Sequence, residues 1–109
     1  MLNQEALDRT FKALADPTRR AIIDRLARGE ASVSELARPF DMSLAGVHQH
    51  LQIIAEAGLM RWSKHGRVRR CRLEPRALDA AAGWLTQRRA TWERRLDALA
   101  RHLGEGRKP

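Results

Sequence analysis

The sequence predicts a mainly α, α+β fold of five helices. A helix-turn-helix in the first half is followed by a two-stranded hairpin and a long last helix. Three observations carry this reading. The stretch SLAGVHQHLQIIAEAGL, residues 43–59, opens on a capping serine and meets a glycine stop at Gly58, with Val47, Leu51 and Ile54 at helical spacing between them. A short capped segment precedes it, across a break at Pro39. After Gly58 the apolar period turns from helical to alternating, and six basic residues with no acidic one fall between Arg61 and Arg72.

At 109 residues the chain is expected to be one domain, 1–103, with GEGRKP (104–109) as a frayed, disordered tail. A chain of this size buries roughly 60–70% of its unfolded surface, so a partner subunit would help its core. Twenty-one Lys and Arg against thirteen Asp and Glu give a net charge of +8 and a pI near 11.3. That excess speaks of partners rather than fold, with nucleic acid the leading one. Anionic membrane surface is the competitor, but no apolar run approaches the ~20 residues needed to span a bilayer. MLNQEALDRTF lacks the charged start and apolar middle of a signal peptide. The single cysteine, Cys71, allows no intramolecular disulfide and suits a reducing compartment, so a cytoplasmic location is expected.

Residues 3–15 form a first helix with Leu7, Phe11 and Leu14 along one side. Asp16 caps the second, Pro17 takes its first position, Ile22, Ile23 and Leu26 supply its buried face, and Gly29 stops it. Ser32 and Glu35 are spaced as a capping box, opening a short third helix that Pro39 ends near Arg38. Phe40 and Met42 are expected to plug the corner before Ser43. A short helix, a tight break and a second helix make a helix-turn-helix. Projected at 100° per residue, Ala45, Gln49, Gln52 and Glu56 lie opposite the apolar stripe of that second helix, with His48 to one side. Small residues let a backbone approach a surface, and glutamine pairs bidentately with an adenine edge in the major groove. An ordinary solvated helix would show the same period; the surrounding order of elements favours the recognition reading.

Residues 59–63 and 67–73 read as strands joined by the turn Lys64-His65-Gly66. Charge on an edge strand discourages pairing. Six like charges (Arg61, Lys64, Arg67, Arg69, Arg70, Arg72) nevertheless repel unless something anionic lies opposite, which favours phosphate contact. Cys71 shares a face with Leu73 and reads as a small buried hydrophobe. The alternative, a redox thiol activated by the arginines, lacks a resolving partner. Glu74-Pro75 ends the hairpin. The last helix, about 77–102, carries Leu78, Ala82, Leu85, Arg89, Trp92, Leu96, Leu99 and Leu103 at alternating three- and four-residue steps, interrupted only by Arg89. Such a seam favours a subunit contact over a helix folded back on its own domain. Trp84, beside it, either covers the seam or sits against the body.

With this order in view, ALADPTRRAIIDRL, SVSELARPFDMSLAGVHQHL, EAGLM and, more loosely, GRVRRCRLEP resemble the ArsR-type winged helix-turn-helix repressors of bacteria, over about 11–103. The resemblance implies a homodimer whose two recognition helices enter successive major grooves of an inverted repeat in double-stranded DNA. It implies wings lying along phosphates or the minor groove, and dimerisation through the first and last helices. Carried onto this sequence, the recognition-helix contacts are Ser43, Ala45, Gly46, His48, Gln49 and Gln52. The wing contacts are Lys64, Arg67 and Arg69, with His65 either at the tip or simply exposed. The dimer interface is Leu7, Phe11, Leu85, Trp92, Leu96, Leu99 and Leu103. The reading face departs from the family, which commonly has SxPAVSKHL or SxxVSxHL there.

Thiol-based metal sensors of this family use a CxC pair in the third helix, where this chain has Ser32 and Ser34, and a hydroxyl does not replace a thiolate on a soft metal. A second family site draws carboxylates and histidines from the last helix, which offers only Asp79 and, at its far end, His102. His48 and His50, two apart on a helix, point in different directions. No metal and no cofactor are expected. With no tyrosine, no Gly-rich phosphate cradle and no nucleophile beside a base, neither is catalysis. The expectation is a metal-independent, sequence-specific transcriptional regulator, by family habit an autorepressor. The alternatives are a sequence-neutral architectural DNA binder and a winged-helix protein-interaction module. Its input is left open between a small molecule near the dimer seam, a partner protein, and the regulator's own concentration.

Overall fold

The computed structural model describes residues 4–106. Helix α1 (Gln4–Leu14) is followed by α2 (Pro17–Leu26), strand β1 (Ala31–Ser32), α3 (Val33–Ala37) and α4 (Leu44–Glu56). Strands β2 (Met60–His65) and β3 (Val68–Leu73), a 3₁₀ turn at Pro75–Leu78 and α5 (Asp79–Gly106) complete the chain. The corner between α1 and α2 explains the residues ADPTRR. The Asp16 carboxylate accepts the Arg19 N–H at 3.0 Å, which caps α2 and holds the carboxyl below its ordinary value. The side chains of Arg19 and Arg20 then turn back and donate to the last carbonyls of α1: Arg19 to Lys12 and Ala13, Arg20 to Leu14 at 2.7 Å. One dipeptide thus satisfies acceptors that α1 cannot satisfy itself.

The centre of the core is α4, whose Val47, Leu51 and Ile54 are fully buried with Ile22, Leu36, Leu59 and Cys71. That helix ends in a Schellman motif: the Gly58 N–H donates to the Ala55 carbonyl and the Leu59 N–H to that of Ile54, with Gly58 at φ +75°. The motif drops Leu59 into the core and delays β2 until Met60.

Two features of the sheet differ from the sequence expectation. The sheet has three strands in the order β1-β3-β2, because Ala31 and Ser32 pair with Cys71 and Arg70. The expected capping box is compatible with this pairing: it holds Ser32 extended (φ −76°, ψ 162°), the backbone conformation of a strand, while its N–H donates to Glu35. The hairpin turn is Gly66-Arg67 rather than 64–66, since His65 pairs with Val68. Gly66 takes φ +64° at the first central position of this two-residue loop, the place where hairpin turns of the II′ kind favour glycine. Lys64 and His65 are therefore strand residues, and Arg67 sits in the turn.

The last helix meets the body through Trp84, whose ring packs edge-on against Phe11 of α1 at 5.8 Å, under the Arg88 guanidinium. Of the two open readings for Trp84, contact with the body is the one observed. Beyond it α5 projects away. Leu85, Trp92, Leu96, Leu99 and Leu103 are all more than half exposed, so the seam is not folded back on its own domain. The radius of gyration is 19.8 Å, against about 13 Å for a compact chain of this length. The helix continues through Gly106, three residues into the stretch expected to be disordered; residues 107–109 lie outside the described ones. Leu7, expected in the dimer interface, is only 6% exposed within a single protomer. Its side of α1 already packs against this chain. Phe11 is half-buried, partly by Trp84.

Candidate nucleic-acid interface

The outer face of α4 carries Ala45, Gln49, Gln52 and Glu56, all exposed. Gln52 leans toward Glu56, Nε2 to Oε1 at 3.5 Å, while the Gln49 side chain makes no hydrogen bond with another described residue. Ser43 accepts the Gly46 N–H at 3.0 Å as the cap of α4. At the half-buried Gly46 a Cβ would stand 3.3 Å from the Ser43 Oγ and 4.0 Å from Met42, so its small size leaves room for the cap.

The two histidines diverge, as their spacing requires. His50 turns to the α1–α2 corner, its Nδ1 3.2 Å from an Arg19 guanidinium nitrogen and 3.9 Å from the Asp16 carboxylate. His48 turns to the hairpin and stacks on Trp62, ring centroids 5.5 Å apart with an interplanar angle of 28°. It is half-buried, beside the reading face rather than on it.

The hairpin's positive charge is partly answered from within. Arg61 and Arg72 both meet the Glu74 carboxylate, at 3.3 and 3.1 Å. Arg70 lies 3.8 Å from Glu35, which Arg25 also approaches. Glu35 is held below its ordinary value first by the Ser32 backbone N–H of the capping box, with Arg70 and Arg25 adding to it. The anionic groups that six like charges call for are thus in part supplied by the protein itself. Cross-strand pairing and Glu35, 35 residues away from Arg70 in the chain, place protein carboxylates beside half of them. Among the described residues, Lys64, Arg67 and Arg69 pair with no carboxylate. All three are exposed, as is His65. Arg69 lies over the Trp62 ring, 4.2 Å from its centroid.

Trp62 escaped the sequence reading as a site residue. Its position was legible in principle: alternation puts it on the face of Met60, and pairing sets it opposite Cys71. Between the hairpin and the start of α3 a groove of about 400 Å³ is lined by Ser32, Ser34, His48, Arg67 and Arg69, with two valines. Cys71 is fully buried behind it, and burial pushes its thiol up to about 11 despite the neighbouring arginines. At neutral pH it is a protonated, inert core group. Among the described residues, no three His, Cys, Asp or Glu side chains are grouped so as to hold a metal ion, and no helix is long and apolar enough to cross a membrane.

Comparison with known proteins bears on this arrangement. Residues 14–61 match the model of a helix-turn-helix domain. The chain is 45% identical over 73 residues to an HTH-type transcriptional regulator of Mycobacterium tuberculosis, covering 67% of this chain and 68% of that one. The crystal structure of an ArsR family transcriptional regulator, RHA00566, superposes with a TM-score of 0.80 at 46% identity, covering 84% of this chain and 95% of the other. A solution structure from Mycobacterium bovis, a homodimeric winged helix-turn-helix DNA-binding domain, matches with a TM-score of 0.63 at 30% identity over 80% of each chain.

Proposed function

The chain belongs to the ArsR family of winged helix-turn-helix transcriptional regulators, and from that premise we propose a metal-independent repressor that binds an inverted repeat as a homodimer. One observation carries the proposal: the exposed Ala45, Gln49 and Gln52 of α4 stand beside a hairpin whose Lys64, Arg67 and Arg69 have no carboxylate partner among the described residues. In this reading α4 enters the major groove, Gln49 and Gln52 meet base edges, and Ala45 lets the helix come close. Ser43 and the first N–H groups of α4 hold a phosphate, and the wing follows the backbone with Lys64, His65, Arg67 and Arg69.

Homodimerisation through α5 is supported by the exposed seam, a row of large apolar side chains at heptad-like spacing that the protomer leaves uncovered, and by the homodimeric Mycobacterium bovis domain. Metal independence is supported by donor chemistry: Ser32 and Ser34 offer hydroxyls where thiol sensors carry thiolates. A dimer seated on promoter DNA blocks polymerase, which is how the protein represses, its own gene first.

Nuclease footprinting on the DNA upstream of its gene tests this reading. The expected result is a protected region with two-fold symmetry whose half-sites lie about 34 Å, one helical turn, apart. Protection spread evenly along the duplex would overturn it in favour of a sequence-neutral binder.

A further inference from the structure

We propose that Trp62 is the positioning residue of this interface: it sets Arg69 and His48 around one groove, so that wing and recognition helix grip a single backbone phosphate together. The proposal rests on the DNA-binding reading above and adds to it a residue and a seat.

Trp62 lies on β2 opposite Cys71, and Arg69, two residues before Cys71, is its diagonal neighbour on the same face. The guanidinium sits 4.2 Å from the indole centroid, and the His48 ring stacks on the same indole at 5.5 Å. One side chain therefore joins the wing to α4. Arg69 and His48 both line the groove of about 400 Å³, with Arg67 and Ser34, and among the described residues no carboxylate lines it. Two guanidinium groups, an imidazole and a hydroxyl are donors matched to the non-bridging oxygens of a phosphodiester.

Stacking leaves the edge N–H groups of an arginine free to donate while it fixes the side chain, so less freedom is lost on contact. The other arginines of the hairpin lack this arrangement: Arg61, Arg70 and Arg72 already face Glu74 or Glu35. His48, turned toward the wing, serves this seat rather than a base edge.

The test is a double-mutant cycle between R69A and W62L, with W62F as the conservative variant, on the duplex that the wild type protects and on its scramble. Affinity is followed from 0.05 to 0.2 M salt. Each phosphate contact contributes about 0.9 to the logarithmic salt slope, so losing one per protomer shrinks a dimer's affinity drop over this range by about 12-fold. That loss is expected for R69A, for W62L and, with no further increment, for the pair, while W62F stays near wild type. Effects that add in full, or a W62L slope equal to wild type, overturn the proposal. Should W62L melt below the assay temperature, W62M fills the space without an aromatic face and is judged on the same outcomes. Wild-type protein that fails to prefer its duplex refutes the DNA-binding reading instead; normal wild-type binding with additive variants refutes only the role of Trp62.

Discussion

Two tryptophans on one helix have opposite surroundings, and truncating each in turn separates the subunit contact from the protomer's own packing. Trp92 is 57% exposed in the protomer. At roughly 200 Å² for a tryptophan side chain, that leaves about 110 Å² to be covered by a partner. At ~25 cal/mol per Å² the covering contributes about 3 kcal/mol per protomer. A symmetric dimer covers two, so Trp92→Ala is expected to weaken dimerisation by up to about 6 kcal/mol, roughly four orders of magnitude in the dissociation constant. Trp84 packs on Phe11 within the protomer, so Trp84→Ala is expected to lower the melting temperature at every protein concentration. Sedimentation equilibrium across a wide concentration range, with thermal unfolding beside it, reads both. A W92A dimer constant within tenfold of wild type would refute the seam as the subunit contact. So would a W92A protomer that melts as early as W84A.

Other outcomes follow from the same structure. Gln49→Ala should lower the preference for the operator over a scrambled duplex by about 1–3 kcal/mol per half-site, measured by competition binding, and an unchanged ratio would mean that α4 is turned differently in the groove. The carboxyls of Asp16 and Glu35 are held below 3.8 and 4.5 by the N–H groups of Arg19 and Ser32, so the folded state takes up their protons less readily than the unfolded one. Their stabilisation is present above those values and lost as the pH falls through the lowered ones. In thermal melts the gap between wild type and D16N or E35Q should accordingly be constant near neutrality and close in acid. With its thiol pushed up to about 11 and fully buried, Cys71 should resist iodoacetamide at pH 7.5 until the protein is unfolded.

Most of the helical frame was legible in the sequence because its signals are local. Asp16-Pro17, the Ser32–Glu35 box, Ser43 and Gly58 each act within a turn of the chain, and all four do in the structure what their spacing implies. What escaped depends on partners distant in sequence. Nothing near Ala31-Ser32 announces Cys71 and Arg70 as strand partners, and a two-residue edge has no period to read. The hairpin turn was misplaced by one or two residues because basic residues run through both strands and the loop alike. Pairing, not composition, sets where it bends. The same pairing answers three of the six arginine and lysine charges with Glu35 and Glu74, and leaves Lys64, Arg67 and Arg69 without a carboxylate among the described residues. A helical stripe such as that of Leu7 reveals that a face is covered, not by which chain, and within the protomer Leu7 is already buried. Trp62 was passed over for a related reason: the sequence brings it no nearer to His48 than 14 positions, and only the packing of β2 on α4 stacks the two rings.

The central claim is sequence-specific DNA binding that needs no metal. Fluorescence anisotropy on a duplex from immediately upstream of the gene, against a scrambled duplex, across salt and with or without EDTA, tests it most directly. The account predicts a preference of roughly a thousandfold or more, falling steeply with salt and unchanged by EDTA. Equal affinity for the two duplexes, or a preference that EDTA abolishes, would contradict it.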